Sequence, residues 1–63
     1  MIDEDKMNEY IIYFKMNGCR LGQSCMNALY EVNKDLYNEI TGTEADCFYD
    51  DKKIGAFTKR VFG

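Results

Sequence analysis

Histidine, proline and tryptophan are absent from the 63 residues. Without His the chain lacks the commonest general base and the commonest metal ligand. Cysteine is sparse: Cys19, Cys25 and Cys47 are an odd number with no metal-type spacing, so a full disulfide framework is excluded. A Cys19–Cys47 or Cys19–Cys25 pair would need an oxidising compartment. No apolar run approaches the ~20 residues of a membrane span. The first residues are acidic where a secretory leader would be basic and then apolar. These features favour a reducing, cytoplasmic setting. Net charge is also modest, at −3 from eleven acids and eight bases. That is too mild for a nucleic-acid mimic and of the wrong sign for a general nucleic-acid binder. Repeats, linkers and low-complexity tracts are missing as well.

What is present is apolar and aromatic. Hydrophobic residues make up 46% of the chain, with five Tyr and four Phe, enough to drive folding of one small domain. A core of this size supports roughly 3–5 kcal/mol of stability, so a partner or a second copy would add materially to it. Charge is uneven along the chain: residues 1–9 carry four acids and one Lys, and residues 52–63 four bases and no acid.

The pattern predicts an α+β fold, a small antiparallel sheet (ββαββ, or βαββ) with one amphipathic helix across one face. Residues 1–8 read as a flexible acidic tail and residues 9–63 as a single α+β domain. From Glu9 to Met16 the alternation places Tyr10, Ile12, Phe14 and Met16 on one face, with Ile11 and Tyr13 looking outward. Asn17-Gly18 follows as a hairpin signal, because both residues tolerate positive φ. Ser24 is a natural N-cap, and a helix is predicted from there to Gly42. Its core face is Cys25, Met26, Leu29, Val32, Leu36 and Ile40, all within about 60° on a helical wheel. Residues 44–49 and 53–62 read as the last two strands, joined by a turn at residues 50–53. Gly55 marks a bulge where the alternation changes phase.

Catalytic chemistry finds little support. Cys25 near a helix N-terminus is the best nucleophile, but its place on the apolar face suits a small core residue. Asp46, Asp50 and Asp51 could form an acid/base pair or bind a cation, but Asp50-Asp51 at a turn is ordinary turn chemistry. No catalytic residue, metal ligand or cofactor site is expected. The basic residues Lys52, Lys53, Lys59 and Arg60 with Phe57 have the mixture of charge and ring that single-strand binding uses. A lysine-protected edge strand explains them equally well. The better candidate is a protein interface. Met26, Tyr30, Asn33 and Tyr37 line one flank of the predicted helix, with Glu31 and Asp35 adding acid, and Ile11 and Tyr13 lie on the outer sheet face. Aromatics and Met are enriched at interfaces. Tyr rings that merely cover a core edge are the plainer reading of the same residues.

In size and composition the chain resembles the small phage-encoded inhibitors of host enzymes or defence systems, of anti-CRISPR or decoy-antitoxin type. The resemblance covers the overall profile and no motif. It implies a non-catalytic protein-binding domain that sterically blocks a partner, with the acidic face steering toward a basic nucleic-acid-handling enzyme. The alternative is a small nucleic-acid-binding module using the basic C-terminal strand. A homodimer would also cover the outer face; no membrane partner is expected.

Overall fold

The computed structural model describes residues 2–63 and is all-helical, with no strand among the described residues. Four helices run in order: α1 (Glu4–Met16), α2 (Leu21–Val32), α3 (Lys34–Ile40) and α4 (Ile54–Phe62), the last preceded by a single 3-10 turn, Asp51–Lys53. The expected sheet is therefore absent: α1 and α4 stand where strands are predicted, and the one predicted helix is split into α2 and α3.

Residues 9–16 are helical because of signals outside the apolar run. The Asp3 carboxylate accepts from the Lys6 amide at 3.1 Å, Glu4 and Asp5 occupy the first turn and Lys15 the last. That charge order favours a helix dipole. Met7, Tyr10, Ile11 and Phe14 recur at i, i+3, i+4 and i+7; Met7 is fully buried, and Tyr10 and Ile11 pack on the core beside it. Ile12 and Met16, placed inward by the strand reading, point to solvent at 58% and 81% exposure. Residues 4–8, expected in a tail, thus form the start of α1, and Met1 lies outside the described residues.

Asn17-Gly18 ends this helix instead of turning a hairpin. Gly18 takes φ +93°, its amide reaches Lys15 O at 3.1 Å, and the Cys19 amide reaches Phe14 O at 3.1 Å. This is the Schellman arrangement, which needs the same left-handed residue as a hairpin turn.

The single helix predicted over Ser24–Gly42 is two helices. α2 begins earlier, at Leu21, where Gln23 Oε1 accepts from the Arg20 amide at 3.0 Å. Ser24 is buried and donates its hydroxyl back to Arg20 O at 2.9 Å, so it is not the cap. Asn33 (φ −152°, ψ 89°) breaks the run: its amide closes α2 on Leu29 O, and its side chain caps α3 by accepting from the Leu36 amide at 3.1 Å. An Asn side chain that competes for backbone groups favours such a break. The expected core face survives it, with Cys25, Met26, Leu29 and Ile40 buried and Val32 and Leu36 packed against them. The stop at Gly42, φ +83°, also agrees.

The last predicted strand is α4. Ile54, Phe57 and Val61 fall at i, i+3 and i+7, with Phe57 and Val61 buried and Ile54 partly so. The broken alternation around Gly55 was a helical period, not a bulge. Residues 44–49, the other predicted strand, lie in a non-repetitive segment, 41–50, between α3 and the 3-10 turn.

Candidate protein interface

Residues 41–50 have no helix or sheet to satisfy their backbone; turn bonds from the Thr43, Asp46 and Asp50 amides to Ile40 O, Thr43 O and Cys47 O close part of it, and the rest needs partners in side chains or water. Short polar side chains supply them. Asp46 accepts from the Gly42 amide through Oδ2 at 2.8 Å and from the Phe48 amide through Oδ1 at 3.0 Å. Thr41 and Thr43 donate their hydroxyls to Tyr37 O at 2.7 Å and Ile40 O at 2.6 Å. Asp50 accepts from the Lys52 amide at 2.9 Å and opens the 3-10 turn. These Asx- and ST-type bonds replace a ladder.

The segment is fastened to α2 by a second set of contacts. Asp51 Oδ1 accepts from the Gly22 amide at 3.0 Å and from Arg20 Nη1 at 2.8 Å, while Arg20 Nη2 donates to Phe48 O. The Gly22 amide is one of the free donors at the start of α2, so Asp51 caps that helix from 29 residues away. Contact is close enough that a Cβ on Gly22 would lie 2.1 Å from Cys47 O and 2.6 Å from Asp51 Oδ1. Cys47 is fully buried under the segment, its thiol 3.5 Å from Gly22 O.

Above Cys47, Phe48 and Tyr49 stack edge to face at 4.8 Å, and Tyr49 is 86% exposed. With Met26, Tyr37, Thr41 and Asp46 they line an open groove, and a second depression continues from it past Thr43 and Asp50 to Lys53. Tyr30 lies beside Tyr37, edge to face at 5.2 Å, with Lys34 Nζ 5.2 Å above its ring.

Of the interface residues expected from sequence, Met26 and Tyr37 line this groove and Tyr30 borders it. Met26 is 1% exposed, so it supports the groove floor and offers a partner little surface. Glu31 and Asp35 are exposed, and Asn33 is partly buried and committed to capping. Ile11 and Tyr13 belong to α1 and not to a sheet face; Ile11 packs on the core, and Tyr13 meets Phe14 edge to face at 5.1 Å. Of the basic set, Lys52 and Lys53 lie in the 3-10 turn and Lys59 and Arg60 on α4, with Arg60 3.2 Å from Glu39. Phe57 is 1% exposed, a core residue with no ring face free for stacking. Phe48, Tyr49, Thr41 and Asp46 escaped the sequence reading. The available signal was the density of Thr, Asp and Gly between Thr41 and Asp51, which is turn chemistry and not strand composition.

No group of three or more His, Cys, Asp or Glu side chains gathers as a metal site among the described residues. The Asp46, Asp50 and Asp51 carboxylates are each occupied by backbone amides. The neighbouring Cys47 thiol holds the Cys25 thiol below its ordinary pKa; Cys25 in turn, reinforced by burial, pushes Cys47 up. No helix is long and apolar enough to cross a membrane among the described residues. No protein-family model, curated protein or solved structure significantly matches the chain.

Proposed function

We propose that the chain is a non-catalytic protein-binding domain, a small inhibitor or adaptor that covers a partner's functional surface with the face built from Tyr30, Tyr37, Phe48 and Tyr49. The observation that carries this reading is Tyr49, 86% exposed on a segment whose backbone is tied down on both sides. A large ring held ready costs little entropy on binding, which is the property of an interface anchor. Exposed Glu31, Asp35 and Glu44 on α2, α3 and the segment favour a basic partner, such as a host nucleic-acid-handling enzyme or defence effector met in the cytoplasm. The profile of small phage-type inhibitors is consistent with this role.

The test is comparative capture from nuclease-treated bacterial lysate with the intact chain, Tyr49→Ser, Tyr30→Ser and, as an exposed control on α1, Ile12→Ser. Circular dichroism confirms that each is folded. The expected result is one protein retained by the intact chain and Ile12→Ser, and reduced at least about tenfold by Tyr49→Ser. Retention that survives Tyr49→Ser and Tyr30→Ser, or that needs nucleic acid together with Lys59 and Arg60, overturns the assignment.

A further inference from the structure

We propose that Cys25 and Cys47 form a dithiol that a hydroperoxide converts into an intramolecular disulfide, fastening residues 41–50 to α2. Cys47 packs directly on the first turn of α2, the helix that carries Cys25. The Cys47 carbonyl lies 2.1 Å from where a Gly22 Cβ would be, and the Cys47 thiol is 3.5 Å from Gly22 O. Side chains on a helix lean toward its N-terminus and cover the turn before their own Cα. Cys25, three residues beyond Gly22, therefore leans over the turn that Cys47 touches, and the two thiols are near enough to shift each other's ionisation. Cys25 is 5% and Cys47 0% exposed, which selects a small oxidant over a bulky disulfide. Cys19, partly exposed with Asn27 Nδ2 3.8 Å from its sulfur, lies outside this pair.

Cys25 is the thiol that ionises first, because the neighbouring Cys47 thiol lowers its pKa while Cys25 and burial raise that of Cys47. The thiolate attacks the terminal oxygen of the hydroperoxide. The O–O bond breaks, leaving a sulfenic acid on Cys25, and the departing alkoxide takes up the proton Cys25 released. The Cys47 sulfur then attacks the Cys25 sulfur. The S–S bond forms as the S–O bond breaks, and hydroxide leaves with the Cys47 proton as water. Two thiols and one hydroperoxide yield one disulfide, one alcohol and one water.

The experiment treats the full chain and its Cys19→Ser variant with dilute hydrogen peroxide, followed by intact mass and non-reducing peptide mapping. Both should lose two hydrogens, yield a single Cys25–Cys47 cross-linked peptide, and gain more than about 10 °C in Tm, reversed by a reducing agent. In Cys47→Ser the reaction should stop at a sulfenic acid on Cys25, trapped by dimedone. Should that variant fail to fold, the peptide map of Cys19→Ser decides alone. Cys25 and Cys47 remaining reduced under peroxide, over-oxidation of Cys25 without a cross-link, or a disulfide between two copies overturns the proposal.

Discussion

α1 is thirteen residues of regular helix that contribute one fully buried side chain, Met7, whereas residues 41–50 have no regular structure, yet bury Cys47 completely and close their backbone on Asp46, Thr43 and Asp50. Both regions show apolar or aromatic groups to solvent: Ile12, Tyr13 and Met16 on the helix, Tyr49 on the segment. The support beneath them differs. The helix is self-sufficient in hydrogen bonds and rests on α2 through non-directional packing. The segment's shape depends on particular donors and acceptors meeting, with Phe48 and the adjoining Asp51 bonded to Arg20 and Gly22 at the start of α2. Directional contacts over-determine a shape, and a shape held that way is what presents Tyr49. Irregular chain is here the more specified part of the fold.

That contrast breaks most sharply at glycine. Gly22→Ala places a methyl against a backbone carbonyl that cannot rotate aside, and should cost about 3 kcal/mol or more, comparable to the whole stability of the chain. Gly55→Ala, also helical but with open space at the Cβ, should be neutral or stabilise by about 0.5–1 kcal/mol. Urea unfolding of the pair measures both, and equal effects would dissolve the distinction. Next in size is Met7→Ala, expected to cost about 2–4 kcal/mol because α1 has no second fully buried anchor. A loss below about 1 kcal/mol would show α1 to be less dependent on packing than described. Smaller again is Asp51→Ala. It strands the partly buried Gly22 amide and frees Arg20, for about 1–2 kcal/mol, mostly from the amide. The Arg20 pair adds little, since both partners are nearly half exposed, at 45% and 47%. Its effect should appear as faster proteolysis near residues 48–53 well before global unfolding.

The sequence was readable where one period excluded the other. Cys25, Met26, Leu29 and Ile40 announce a helical core face, and they are buried. The run of residues 10–14 fits a strand and a helix alike, because nearly every position in it is apolar or aromatic. Only Met7 and the Asp3 cap set the helical phase, and both fall in the stretch that reads as a tail. Asn17-Gly18 was ambiguous for a related reason: a left-handed residue serves a hairpin and a helix end equally. In α4 the odd spacing Ile54–Phe57 reads as faulty alternation with a bulge at Gly55. Tyr30 and Tyr37 were legible from the helix wheel as residues flanking the core face. The placement of Phe48 and Tyr49 was not legible, because it depends on bonds from Arg20 to Phe48 and from Gly22 to Asp51, which link positions 28 and 29 residues apart.

Amide hydrogen exchange of the full chain, resolved by residue, tests the central claim that residues 41–50 form a fixed platform. The Gly42, Phe48 and Lys52 amides, bonded to Asp46 and Asp50, should exchange far more slowly than free amides and within about tenfold of the α2 interior, and Asp51→Ala should speed Phe48 selectively. Exchange of those amides at the rate of an unstructured peptide, with α2 still protected, would contradict the account.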